Sequence, residues 1–304
     1  MNLYSHAESN IRKTWLYLTG FFLFVIGIGW VISYVFESYS LFVIAVMISI
    51  LMSIGSYWYS DKIVLAMSGA RPIEKADQPE LYRIVENLSI TAGLPMPKLF
   101  LIEDAQPNAF ATGRDARHAV VAVTRGLLNR LERVELEGVI AHELSHVGNR
   151  DMLLSTIVVV LVGFVAIITD FFFRAAFYGG FGGRDNDRGS AQMRQFLMII
   201  AIVFALIAPI IAQLIKFAIS RKRELLADAS GALLTRYPEG LARALEKIAS
   251  DPRQLKSAND ATAHLYLVNP FRGRERTSWI HRLFMTHPPM EERVAALRGM
   301  RVQV

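Results

Sequence analysis

Four long stretches with almost no charged residue constrain the fold of this chain more than any other feature. Three of them contain no Asp, Glu, Lys or Arg, namely Thr14–Phe36, Ser38–Ser60 and Gln195–Ile215, and Met152–Phe173 contains only Asp170. A helix of about 20 residues crosses a hydrocarbon core of roughly 30 Å. The sequence therefore predicts four transmembrane helices, arranged as two hairpins.

Each pair of stretches has an alternative interpretation. The first stretch resembles a cleaved signal peptide in position, but it is longer than one and a second stretch follows almost at once. The second pair can also form a helical hairpin buried inside the protein, because Asp170 and Pro209 interrupt it. The first hairpin is thus the firmer prediction.

The distribution of positive charge predicts which side of the membrane the polar regions occupy. Arg12 and Lys13 precede the first stretch and Lys62 follows the second, whereas the link 37–40 has no Lys or Arg. Positive residues favour the cytoplasmic side, so the N-terminus and the region after residue 60 are expected there.

The net charge is +6, but the densest basic group, 221–223, follows an apolar stretch. We expect a lipid bilayer as partner and no nucleic acid.

Residues 142–146 read His-Glu-Leu-Ser-His and predict a metal site on a helix. His142 and His146 are four residues apart, so both imidazoles project from one face and can reach one ion. Glu143 is then placed to deprotonate a water on that ion. The alternative is a surface helix with two solvated histidines, but the neighbours Val139–Ala141 and Val147 are uncharged.

A catalytic zinc commonly takes three protein ligands and leaves one position for water. Asn149 and Met152 stand where a metzincin would carry its further glycine and histidine, so that arrangement is excluded. The chain has no Cys, and only His or carboxylate ligands remain. Glu224 and Asp228 share a helical face, which suits a ligand and a partner for a ligand histidine. The alternative is an exposed acidic pair beside nearby arginines.

The polar regions between the apolar stretches predict the rest of the fold. The first polar region, 61–151, is predicted to be mixed α/β. Strands are expected at Lys98–Ile102 and His118–Thr124, and an edge strand is expected within Asn108–Gly113. The last is mostly helical. We therefore expect a mainly α membrane protein with a small β-sheet. Its expected divisions are 1–60 (tail and first hairpin), 61–151 (first catalytic part), 152–215 (second hairpin) and 216–304 (second catalytic part).

Three motifs occur in the order that one protein family shows. His142-Glu-Leu-Ser-His146, Glu224-Leu-Leu-Ala-Asp228 and Thr286-His-Pro-Pro289, split by an apolar hairpin, resemble the HtpX family of bacterial heat-shock membrane proteases. That family is related to the CAAX prenyl proteases of eukaryotic membranes. The resemblance implies a gluzincin-like endopeptidase of the bacterial inner membrane, with one zinc ion per chain and a cytoplasmic active site. It also implies misfolded or damaged membrane proteins as substrates.

The resemblance assigns roles to individual residues. The implied zinc ligands and catalytic glutamate are His142, His146, Glu224 and Glu143. The implied substrate-binding edge is Asn108, Ala109, Phe110 and Ala111, which would pair with peptide backbone. His287 and Arg293 match a His-Pro-Pro-x-x-x-Arg element that stabilises the oxyanion, although the prolines also suit a simple helix start. Asp228, Asn149 and Asp151 are candidates for contacting the ligands from behind.

Two other functions are compatible with parts of this pattern. A processing protease for lipidated C-termini would resemble the prenyl protease relatives, but it would be expected to have more membrane spans. A non-catalytic membrane scaffold would keep a structural zinc. Glu143 argues against the scaffold, because a structural site needs no base beside its ligands.

Overall fold

A computed structural model describes residues 3–35, 39–160, 221–256, 258, 262–270 and 288–300 of the chain. Most described residues are helical. The helices are α1 (Leu3–Val35), α2 (Tyr39–Met67), α3 (Pro79–Ala92), α4 (Arg125–Arg130), α5 (Arg133–Gly148), α6 (Asp151–Val160), α7 (Arg221–Thr235), α8 (Pro238–Ala249) and α9 (Met290–Arg298). The strands are β1 (Arg71–Pro72), β2 (Lys98–Ile102), β3 (Ala109–Thr112) and β4 (Val120–Thr124). The predicted mainly α fold with a small sheet is confirmed.

Helices α1 and α2 pack against each other as the predicted first hairpin. Within the described part of the chain, Phe42–Met67 is the one helix long and apolar enough to cross a membrane. Its large apolar side chains are mostly exposed, as expected for a surface in contact with lipid. The predicted four spans are therefore not confirmed. Most of the second hairpin, 161–215, lies outside the described residues, and α6 is its apolar beginning.

The sheet has four strands in the order β1-β2-β4-β3. Strands β2 and β4 run parallel, and β3 pairs antiparallel with β4 at the edge. Strand β2 matches its predicted bounds, whereas β4 begins at Val120 because Ala116–His118 forms a turn of 3-10 helix. The expected edge strand within 108–113 is present as β3, although all four of its residues are buried.

Helix α5 lies at the centre of the core, which explains why the sequence around the two histidines lacks charge. It packs against α3, α7, α8 and β3. A capping box begins the helix, in which the Glu132 N–H donates to the Glu135 carboxylate over 2.9 Å. Two glycines permit close approach of its neighbours. A Cβ on Gly138 would lie 2.7 Å from Leu241 N, and one on Gly231 would lie 2.9 Å from His142 N.

Candidate active site

Helix α5 presents its two histidines to the same space. The rings of His142 and His146 lie 4.8 Å apart, and their Nε2 atoms are 3.2 Å apart. The opposite ring nitrogen of each histidine, Nδ1, lies near a carboxylate, which favours a proton on Nδ1. When both Nε2 atoms are deprotonated, their lone pairs face the same space, an arrangement that suits a shared cation.

Helix α7 contributes a carboxylate to this space. Glu224 Oε2 lies 3.9 Å from His142 Nε2, and Glu224 Oε1 lies 3.7 Å from His146 Nε2. One ligand atom from each residue lies within 4.8 Å of the others. A tetrahedral ion with bonds of about 2.1 Å separates its ligand atoms by roughly 3.4 Å. Two imidazoles and one carboxylate at these distances fit a catalytic zinc, and the described residues present no thiolate.

Asp228, one turn further along α7, holds His142 from behind. Its Oδ1 lies 2.9 Å from His142 Nδ1. Arg293 on α9 donates two hydrogen bonds to the same carboxylate, over 2.8 and 2.6 Å. Burial opposes ionisation, but Arg293 outweighs it and holds the pKa of Asp228 below its usual range. Burial lowers the pKa of His142, so its ring is neutral, as a metal ligand requires.

Asp151 contacts the Nδ1 atom of His146, as Asp228 contacts that of His142. Its Oδ2 lies 3.3 Å from His146 Nδ1, and its Oδ1 lies 3.6 Å from Arg223. Arg150, between α5 and α6, has a left-handed backbone with φ 56°, and this turn brings Asp151 back toward the ring. Burial lowers the pKa of His146, but the Asp151 hydrogen bond and the charge of Glu224 outweigh it and raise the pKa to about 9.

Glu143 lies beside the ligands in a small cavity. The cavity has a volume of about 40 Å³, enough for an ion and water. Burial raises the pKa of Glu143 to about 7, and the backbone N–H of Ala111 donates to its carboxylate. The cavity is lined by Ala111, His142, Glu143, His146, Asp151, Met152, Ser155, Arg223, Glu224, His264, Leu265 and Leu267. A carboxylate with this pKa can accept a proton near neutral pH and release it again.

The other predicted site residues differ in where they lie relative to the three ligand residues. Asn149 is the C-cap of α5 and is buried. Arg293 is fully buried behind Asp228, 3.5 Å from His142 Nδ1 and 3.8 Å from Glu224 Oε2. His287 lies outside the described residues. Of the predicted substrate-binding edge, Ala111 faces the cavity.

Sequence reasoning missed two contributors to the site. Arg223 pairs with Asp151, and His264 lies in the cavity wall. The sequence places Arg223 in a basic group near lipid headgroups, and that pattern gives no sign of an inward contact. His264 belongs to a polar stretch with no spacing relation to the ligands, so only the folded chain brings it to them.

Comparison with known proteins places the chain in a family. A model of peptidase family M48 matches residues 75–301. The chain belongs to this family. It is similar to a Protease HtpX homolog of Dictyoglomus turgidum, with 46% identity over 98% of this chain and 94% of that protein. It is also similar to a Protease HtpX homolog of Thermoanaerobacter pseudethanolicus, with 43% identity over 98% of each. The resemblance drawn from the three motifs is confirmed.

A solved structure shows a weaker similarity. The chain aligns to the crystal structure of S. mikatae Ste24p with 19% identity and a TM-score of 0.47, over 96% of this chain and 66% of that one. The M48 family and its HtpX relatives make this chain a membrane metalloprotease. The cluster of His142, His146 and Glu224 is the group that can hold the metal among the described residues.

Proposed function

We propose that this M48 protease is a zinc-dependent endopeptidase in which Glu143 is the general base. The observation that carries the proposal is the convergence of two imidazole Nε2 atoms and the Glu224 carboxylate, with Glu143 in the same cavity. Zinc bound by His142, His146 and Glu224 would polarise a substrate carbonyl and lower the pKa of a bound water to about 7.

The role of Glu143 follows from its environment. Burial raises the pKa of its carboxyl group to about 7, so the group can take a proton from water and return it to the leaving amine. A structural metal site needs no such group. The position of Glu143 in the cavity therefore supports a protease over a scaffold with a structural zinc.

The residues behind the ligands have a different role. Arg293 donates to Asp228, which in turn accepts the His142 N–H, so Arg293 is proposed to position His142 through Asp228. The oxyanion role expected for Arg293 stays a proposal beside this positioning role, since the buried guanidinium lies 3.8 Å from Glu224 Oε2. The same role is proposed for His287 on the resemblance alone.

The substrates and cellular location are also proposals. The matched relatives are named as HtpX proteases, and the motifs resemble that family. We infer that this chain degrades misfolded or damaged membrane proteins, from the cytoplasmic side of the bacterial inner membrane. The apolar helix Phe42–Met67 and the absence of positive charge in the link 37–40 support this orientation.

Substitution of the proposed base tests the function. In zinc-loaded, detergent-purified protein, Glu143→Gln is expected to retain its zinc and to lose at least about 10²-fold in peptide cleavage, the usual contribution of general acid–base catalysis. Glu137→Gln is the matched control, because Glu137 lies on the same helix and pairs with Arg133 at the surface. Wild-type cleavage by a zinc-loaded Glu143→Gln protein would refute the assignment.

A further inference from the structure

A second arginine lies behind the proposed metal ligands, on the side of His146. Arg223 directly precedes the ligand Glu224 on α7, and its side chain is 10% exposed. The Arg223 Nη1 atom lies 3.6 Å from Asp151 Oδ1. The other oxygen of that carboxylate, Oδ2, lies 3.3 Å from His146 Nδ1. Arg223, Asp151 and His146 are therefore in consecutive contact.

The groups behind His142 follow the same order. Arg293 donates to the Asp228 carboxylate, and Asp228 Oδ1 lies 2.9 Å from His142 Nδ1. In both cases an arginine contacts a carboxylate, and the carboxylate contacts Nδ1 of a ring. A carboxylate in this position fixes the tautomer and the orientation of a ligand histidine. The repetition at both histidines indicates that each arginine serves to hold the carboxylate that orients the ring.

The surroundings of Arg223 differ from those of a residue that faces lipid headgroups. Lysine and arginine at a membrane surface keep the charged head in water. Lys222 is exposed in this way, whereas Arg223 is buried. Burial lowers the pKa of Lys13 on α1, the charge of Arg223 lowers it further, and the charge of Asp151 raises it. Arg223 thus keeps its place near a like charge, and a buried arginine is stable there because a carboxylate pairs with it.

The two arginines differ in the geometry of their contacts. Arg293 donates hydrogen bonds of 2.8 and 2.6 Å to the two oxygens of Asp228, which requires the forked guanidinium. The contact of Arg223 with Asp151 spans 3.6 Å and is longer than a hydrogen bond. Such a contact depends on charge rather than on a fork, so Arg223→Lys should preserve it. Substitutions at the two positions should therefore have different effects.

We propose that Arg223 is a positioning residue for His146 and that it acts through Asp151. Its positive charge holds the carboxylate, and the carboxylate orients the imidazole so that Nε2 faces the space shared with Glu224. The proposal rests on the proposed zinc-dependent function, because it concerns His146 as a zinc ligand. Arg223 also reaches the cavity wall, but this role requires no contact with substrate.

The zinc affinity of three variants of the full-length, detergent-purified protein tests this role, with a chromophoric chelator as competitor. Arg223→Gln is expected to lower the affinity about tenfold, the lower end of the range for residues behind a metal ligand. Arg223→Lys should stay within a few-fold of the wild type, because it keeps the charge. Lys222→Gln is the matched control, since Lys222 is the exposed neighbour on the same helix. An equal loss in both Arg223 variants would overturn the proposal, and so would an unchanged affinity with a raised KM, which would assign Arg223 to substrate binding.

A double substitution tests the route through Asp151. In the Asp151→Asn background the carboxylate charge is absent, so Arg223→Gln is expected to cause no further loss of zinc affinity. If the two losses multiply instead, Arg223 acts independently of Asp151 and the proposal is wrong. Melting temperatures of the metal-free proteins establish that each variant is folded. If Arg223→Gln does not fold, Arg223→Met takes its place, because it keeps an unbranched apolar side chain and removes the charge.

Substitution of Co²⁺ for zinc reports on the arrangement of the ligands. The visible absorption of Co²⁺ depends on coordination geometry, so Arg223→Gln and Asp151→Asn are expected to shift its bands in the same direction. Lys222→Gln and Arg223→Lys should keep the wild-type spectrum. A spectrum unchanged by Arg223→Gln would contradict the positioning role even if the zinc affinity fell. If the wild type bound neither metal, the proposed zinc site would fail and this proposal would fail with it.

Discussion

Replacement of Gly231 by Ala should separate the helices that carry the metal ligands. Gly231 lies on α7, seven residues after Glu224, where α7 crosses α5. A Cβ at this position would lie 2.9 Å from His142 N and 3.2 Å from Ala141 C, and both are backbone atoms of α5. Backbone cannot rotate away as a flexible side chain can, so the two helices must move apart.

The size of this movement follows from the contact distances. Ordinary Cβ contacts begin at 3.4 Å, so the helices must separate by about half an ångström at Gly231. Functional metal sites keep their ligand distances within about 0.2 Å. Overpacking of this kind costs about 1–3 kcal/mol, and the gain in helix propensity from Gly to Ala offsets up to about 1 kcal/mol of it. Displacement of Glu224 from the histidines should lower zinc affinity about 10–100-fold.

Competition with a chromophoric chelator would measure this loss, alongside the melting temperature of the zinc-loaded protein. Gly148→Ala is the control, because a Cβ there would meet only Leu94 Cδ1 at 3.8 Å. The control should bind zinc like the wild type. If Gly231→Ala also bound zinc with wild-type affinity, the close approach of α7 to α5 would not determine the ligand geometry.

Two further predictions concern the partners of the ligand histidines. Because the pKa of His146 is raised to about 9, a proton competes with zinc there, and zinc affinity should fall as pH decreases from 9 to 6, by up to about tenfold per pH unit. Isothermal titration in buffers of different ionisation enthalpy would measure the proton release, and an affinity independent of pH would contradict it. Arg293→Lys should lower zinc affinity about 10–100-fold yet leave turnover at saturating zinc within a few-fold, since Lys cannot donate the paired bonds to Asp228. If turnover instead fell by about a hundredfold or more at full zinc occupancy, Arg293 would act directly on the transition state.

Local patterns predicted the parts of the site that depend on neighbouring residues. The spacing of His142 and His146 requires only one helical turn, and the structure places both Nε2 atoms together. Glu224 and Asp228 share a face for the same reason, and they meet the first pair across the α5–α7 contact. Strand β2 was also predictable, because Pro97 precedes its apolar residues and a turn follows them.

Contacts between distant segments could not be predicted in this way. Leu267 joins β3 through its backbone N–H, a group that every residue type except proline possesses. No residue pattern marks such a bond. The inward turn of Arg223 toward Asp151 depends on where α7 lies against α6, and the sequence gives only an arginine after an apolar stretch. The burial of Arg293 likewise depends on its partner Asp228, 65 residues away.

The same arginine connects the metal ligands to the segment that contacts the end of β3. Arg293 donates to Asp228, which orients His142, and to Leu267, which covers the end of β3. A buried guanidinium is stable only while its acceptors remain in place, because an unpaired buried charge costs several kcal/mol. The position of His142 and the position of Leu267 are therefore coupled through one side chain. Movement of Leu267 would therefore disturb the contact between Asp228 and His142, because both depend on the same guanidinium.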